Sequence, residues 1–222
     1  LVFTLAVGAV CGLLNGILVQ YVKIPAFIAT LGTGYIVFGI AQIISNGSSM
    51  TNLPKNVLSL GRSQFLGVTT TVYFAVVIVI LCYILMHKST FGRSLSALGN
   101  NAVASKLSGI NTARVTVLVY VLCGTLAALS AILMTIRVNS ATPVMGGTNY
   151  TFEAITAAIL GGASLYGGVG TAWGSVLGVI IIYIVQNCIN LLGVNFYIYQ
   201  AVLSIIILAA IVFENLKNRA LQ

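Results

Sequence analysis

Apolar residues run through this 222-residue chain in long blocks, broken by short polar segments. A helix needs about 20 apolar residues to cross the hydrocarbon of a bilayer. Leu1–Val22 is such a block, and Ile24–Ile44 follows directly after Lys23, with Pro25 near its start where a proline is tolerated. Ser45–Gly67 is polar and rich in turn residues, after which Val68–Met86 makes a third span. Lys88–Arg114 is polar, Val115–Ile136 is a fourth span, and Arg137–Tyr150 is a polar loop. Thr151–Tyr166 is apolar but short and runs into Gly161-Gly162 and then Gly167-Gly168-Val169-Gly170. It either crosses or re-enters at the glycines. Thr171–Leu192 and Asn195–Phe213 complete the set. The pattern predicts an all-α, polytopic membrane bundle of about seven segments, forming a single membrane domain over residues 1–222.

The cations orient it. With seven crossings, one side holds Lys23, Lys88, Arg93, Lys106, Arg114, Lys217 and Arg219, and the other Lys55, Arg62 and Arg137. Cytoplasmic loops carry the excess of Lys and Arg. The segment 88–114 and the C-terminus are therefore expected in the cytoplasm. If Thr151–Tyr166 re-enters, the C-terminal pair changes side and the excess disappears.

Composition sharpens this reading. Hydrophobic residues make up 59% and charged residues 5%, whereas a soluble domain carries about 25% charged residues. The net charge of +8 is scattered between apolar blocks and never clusters, which excludes a nucleic-acid surface. Cys11, Cys82, Cys123 and Cys188 lie inside apolar runs without zinc spacing and read as small packing residues. His87 stands alone at the end of a run and reads as a residue of the membrane interface. No metal or cofactor is expected. Neither a Gly-x4-Gly-Lys-Ser/Thr loop nor a catalytic elbow is present, so an enzyme is not expected.

Small and polar residues inside the spans point to helix contacts. Gly8, Gly12 and Gly16 recur every four residues, as do Gly170, Gly174 and Gly178, and such stripes let backbones approach closely in lipid. Asn15, Gln42, Gln186, Asn187, Asn190 and Gln200 are amides within apolar runs, and their usual use there is interhelical hydrogen bonding. Asn187 and Asn190 share a helical face and are also candidates for a translocation path. The only acids, Glu153 and Glu214, sit at segment ends. No carboxylate is placed to carry a coupling proton at membrane depth, so energy must come from elsewhere or the solute moves downhill. Glu153, after Thr151, is either an acid favoured by the first turn of its helix or a gate at the external mouth.

The stretch Phe91–Asn111 is the sharpest signal. Ala, Ser and Leu alternate between Gly92, Gly99 and Gly109, which predicts two short helices with glycine breaks. A merely solvated loop has no need of Leu95, Leu98, Leu107 and Ile110, whereas a surface that docks a cytoplasmic partner does.

These residues carry a resemblance. Gly92-Arg93, Ala97-Leu98-Gly99-Asn100-Asn101, Ala104 and Ser108-Gly109-Ile110 closely resemble the cytoplasmic loop of ribose-type ABC permeases. Those are the sugar members of the family that also includes branched-chain amino-acid permeases. Gly146-Gly147, Tyr150, Glu153-Ala154-Ile155 and Leu160-Gly161-Gly162-Ala163-Ser164-Leu165 with Gly167, Gly168 and Gly170 match a second region. Asn187, Asn190-Leu191-Leu192-Gly193-Val194 and Pro25-Ala26-Phe27-Ile28-Ala29-Thr30-Leu31 match two more, in order along the chain. Family members are longer, so the sequence is expected to be N-terminally incomplete, lacking roughly the first third. The resemblance implies a bacterial inner-membrane importer of a monosaccharide-like solute. Two permease copies would line a path, an ABC ATPase would dock on the loop of residues 88–114, and an extracytoplasmic binding protein would deliver the solute. A facilitator or secondary carrier for a small polar solute is the alternative class.

Overall fold

The computed structural model describes residues 1–51, 64, 65, 67–145, 147–164, 167–193 and 196–220. They are almost all helical and fall into two compact units.

The first unit comprises residues 1–77 and 109–147. Helix α1 (Val2–Gln20) is followed, after Lys23 in the left-handed region (φ 61°), by α2 (Ala26–Ser45). Pro25 stands immediately before α2, where its missing N–H breaks no intrahelical bond. The glycine stripe of α1 lies on α6 (Thr112–Val138). A methyl placed on Gly8 would lie 2.6 Å from Ala128 Cβ, and one on Gly16 would lie 2.9 Å from Val117 Cα. The backbones meet because no side chain separates them. Asn15 ties α1 to α2, its Oδ1 accepting from Thr33 Oγ1 at 2.7 Å. Outside the helices, β1 (Met50–Thr51) pairs antiparallel with β4 (Ser140–Ala141), and β2 (Gln64–Phe65) with β3 (Val68–Thr69).

Helix α3 (Thr70–His87) begins in the first unit and ends in the second. None of its residues is buried, although its mean hydropathy is 2.2. A helix that is apolar all round is at home only in lipid or against other apolar helices. At its end His87 stacks on Tyr83 with ring centroids 4.7 Å apart, and Trp173 tilts toward Tyr83 at 6.2 Å. Aromatic clusters of this kind favour the level of the lipid headgroups.

The second unit comprises residues 78–108 and 148–222. After α3 come α4 (Thr90–Asn100) and α5 (Ala102–Leu107). Then α7 (Thr148–Leu160), α8 (Ala172–Leu191) and α9 (Phe196–Ala220) pack around Ala157, Ile182, Tyr199 and Leu203. Here too glycine sets the spacing. A methyl on Gly161 would lie 2.6 Å from Ser175 N, and one on Gly178 3.0 Å from Gly161 N.

Among the described residues five helices, α1, α2, α3, α6 and α8, are long and apolar enough to cross a membrane, and the chain is a multi-pass membrane protein of the all-α class. The segment expected at Thr151–Tyr166 is the helix Thr148–Leu160, which ends where Gly161 and Gly162 begin. Its 13 residues rise about 20 Å, short of the roughly 30 Å hydrocarbon thickness. The α6 helix, at 27 residues, extends beyond both ends of the apolar block that predicts it: Asn111 caps its start by accepting from Arg114 N at 3.1 Å, and Asn139, left-handed at φ 58°, ends it.

Candidate functional site: two short helices and the polar face

The segment with the sharpest sequence signal forms two short helices, but the breaks are not at the first two glycines. Gly92 and Gly99 lie inside α4. The break is Asn101, extended at φ −156° and ψ 106°, whose side chain accepts from Val103 N at 3.0 Å and Ala104 N at 2.9 Å. An asparagine competes with the helical backbone for these N–H groups, so it ends one helix and caps the next. The glycines serve close approach instead. Gly92 is buried, and a methyl there would lie 2.7 Å from Met86 Cα at the end of α3. Ser89 caps α4 by accepting from Gly92 N at 3.1 Å, which folds α4 back at the end of α3. Only Gly109 falls at a turn, just beyond α5.

Exposure divides the candidates. Arg93, Asn100, Ala104, Ser108 and Gly109 are exposed, Leu98, Gly99 and Ile110 are half-buried, and Ser105 is buried. Of the apolar residues that suggested docking, Leu107 is 84% exposed, while Leu95 is half-buried. Val103, four residues before Leu107 and thus on the same face, is 72% exposed. The sequence reading passed over Val103, although its spacing from Leu107 was there to be read. Two large apolar side chains on a six-residue helix make a surface suited to a partner protein.

The glycine-rich turn between α7 and α8 packs on α4. A methyl on Gly99 would overlap the backbone N of Gly168 and lie 2.8 Å from its Cα. Gly167 (φ 95°) and Gly168 (φ 79°) occupy a backbone region that residues with a Cβ avoid. Ser164 N donates to Val169 O at 2.9 Å, closing the turn, and Thr171 then caps α8 by accepting from Gly174 N at 3.0 Å. Two stretches more than sixty residues apart in the sequence thus meet backbone to backbone. No local pattern predicts that meeting.

Among the candidates for the solute path, Glu153 lies in the second turn of α7, since the helix starts at Thr148 and has no acid in its first turn. The reading of Glu153 as an acid favoured by the helix start is therefore corrected. It is half-buried and accepts from Tyr199 Oη at 3.1 Å. Tyr199, on α9, is 2% exposed and lies in the wall of a cleft of about 530 Å³ that Phe152, Glu153, Gln200 and Ser204 also line. Asn187 and Asn190 are both exposed on α8, without a side-chain hydrogen-bond partner among the described residues, and are not among the residues lining that cleft. The structure does not bring them together with Glu153. Asn15 makes an interhelical bond, to Thr33 of α2. Cys11, Cys82, Cys123 and Cys188 form no disulfide among the described residues.

The chain matches the family model described as the branched-chain amino acid transport system permease component over residues 1–211. It is 37% identical over 220 residues to the ribose import permease protein RbsC of Escherichia coli K12, covering 96% of this chain and 68% of that one. The Bacillus subtilis 168 protein of the same name is 38% identical over 206 residues, covering 92% and 64%. The L-arabinose transport system permease protein AraH of Escherichia coli K12 is 35% identical, covering 93% and 62%. The chain thus spans about two thirds of the length of these relatives. No solved structure matches. With the match running the length of the chain and through α4 and α5, the chain belongs to the branched-chain amino acid transport system permease family, as a transport component and not an enzyme.

Proposed function

We propose that this chain is the membrane-spanning permease part of an ABC importer for a monosaccharide in a bacterial inner membrane, driven by ATP hydrolysed in a partner subunit. The observation that carries the reading is the α4–α5 pair. It presents Val103 and Leu107 to the surface in a segment that also carries exposed Arg93 and Lys106, opposite in character to the lipid-facing helices. An ABC ATPase docked there buries this apolar face; Arg93, Leu98, Asn100, Ala104, Ser108, Gly109 and Ile110 form the coupling surface, and Gly92 and Gly99 support it from behind, against Met86 and Gly168. The names of the relatives, permeases for ribose, arabinose and galactose, support a sugar as the solute. An extracytoplasmic binding protein delivers it, and a second permease copy completes the path, with the C-terminus in the cytoplasm. The exposed Asn187 and Asn190 line that path, where amides can bond sugar hydroxyls, and Glu153 with Tyr199 stands at a gate.

The test is made on the full-length permease expressed with its ATPase and binding protein. A cysteine at Leu107 is expected to cross-link to the ATPase, and uptake is expected to survive collapse of the proton gradient while ATP is held constant. Cross-linking of the ATPase from the Ser45–Gly67 segment, or uptake that fails with an uncoupler at constant ATP, would refute the reading.

A further inference from the structure

The end of α4 meets the turn before α8 backbone to backbone at Gly99, with the Asn100 side chain beside Gly168. Gly99 lies so close to Gly168 that a single added methyl overlaps the Gly168 amide. From the other side, a methyl on Gly168 would lie 2.7 Å from Asn100 Cγ and 3.1 Å from Asn100 N. The turn that carries Gly168 is closed on itself by Ser164 and Val169 and leads directly into the Thr171 cap of α8. Helix α8 in turn meets α7 through the Gly161–Gly174 and Ala157–Gly178 contacts, again backbone on backbone. Helix α7 carries Glu153.

At the Gly99–Gly168, Gly161–Gly174 and Ala157–Gly178 contacts no flexible side chain stands between the backbones to absorb movement. Closely packed backbones transmit strain because they have no soft coordinate to relax into. From this, and resting on the permease reading above, we infer that Gly99 and the Gly167–Gly168 turn form a rigid joint. Through it, displacement of the coupling helices reaches the α7–α8 pair and the Glu153–Tyr199 gate. Gly99, Gly167 and Gly168 are positioning residues: they touch neither solute nor nucleotide, and they fix α4 to the elements that do the moving.

Two measurements test the joint, both on the full-length permease assembled with its ATPase and binding protein in vesicles. The first pairs Asn100→Cys with Gly168→Cys after the four native cysteines are replaced by serine. The γ position of residue 100 and the Cβ of residue 168 are close to the roughly 3 Å that separates a Cβ from its partner sulfur in a disulfide. The bond is expected to form with and without trapped ATP, and the oxidised complex is expected to take up ribose, arabinose or galactose within about twofold of the reduced one, since a joint that moves as one body is not hindered by a bond across it. Uptake that is lost on oxidation and restored by reductant would overturn the inference, because the contact would then have to open in each cycle. Failure of the bond to form would overturn it as well.

The second measurement is Gly99→Ala, compared with Gly32→Ala, whose added methyl meets nothing within 4 Å. Gly99→Ala is expected to lower sugar taken up per ATP hydrolysed by about tenfold while the ATPase still co-purifies. An unchanged ratio, or loss of the ATPase from the complex, overturns the inference, the latter because the contact would then serve assembly alone. If the unsubstituted permease neither retains the ATPase nor imports sugar with it, the permease reading has failed instead, whatever the cross-link shows.

Discussion

Gly12→Ala should damage this protein more than any glycine substitution that lacks a facing backbone. Gly12 is buried in the middle of α1. An added methyl would overlap Tyr120 O and lie 2.9 Å from both Tyr120 C and Val121 Cα on α6. Ordinary carbon contacts need about 3.5–4.0 Å, so the two helices must separate by roughly 1 Å. The atoms in the way belong to the backbone and cannot rotate aside. A gap of that size forfeits about a quarter to a half of each dispersion contact along the pair. The two neighbouring contacts, Gly8 with Ala128 and Gly16 with Val117, open with it. Overpacking of this kind costs about 1–3 kcal/mol. Alanine is the better helix former by about 0.5–1 kcal/mol, which offsets part of the loss. The net expectation is a destabilisation of about 1–2 kcal/mol, or a fall in Tm of about 2–8 °C for a chain of this size. Gly39→Ala, with open space at its Cβ, isolates the helix-propensity effect and is expected to leave Tm unchanged or raise it. The assay is fluorescence-detected thermal unfolding of both variants in the same detergent. Equal shifts for Gly12→Ala and Gly39→Ala would refute the idea that α1 and α6 are held by direct backbone contact.

Two further outcomes follow from the α4–α5 pair and the polar face. Asn101→Ala leaves Val103 N and Ala104 N without their cap, a loss of about 1 kcal/mol at the start of α5, so affinity for the ATPase should fall by about fivefold in a pull-down titration. An unchanged affinity would mean that α5 does not have to be preformed. Asn187→Leu should impair sugar uptake while the ATPase still co-purifies, because the exposed amide has no partner among the described residues whose loss would disturb packing. Normal uptake by an assembled complex would remove Asn187 from the path.

The sequence by itself determined the solvent and the elements. Blocks of about 20 apolar residues with almost no charge have only one medium that suits them, and helix boundaries follow from proline, glycine and capping residues next to them in the chain. The stripe Gly8–Gly12–Gly16 announced a close helix contact because one residue in four falls on one face. It did not say that the partner is α6, since Gly124 and Val117 lie more than a hundred residues away. The same limit explains the α4–α5 pair. Its two helices and their exposure of Leu107 were legible locally. Asn101 as their divider was hidden behind more conspicuous glycines, whose purpose depends on neighbours at Met86 and Gly168. Glu153 was visible as a rare acid, but its bond to Tyr199 spans 46 residues and exists only once α7 and α9 pack around Ala157 and Leu203. In lipid no hydrophobic force distinguishes one apolar face from another, so shape and backbone proximity choose the partners, and these belong to the tertiary structure alone.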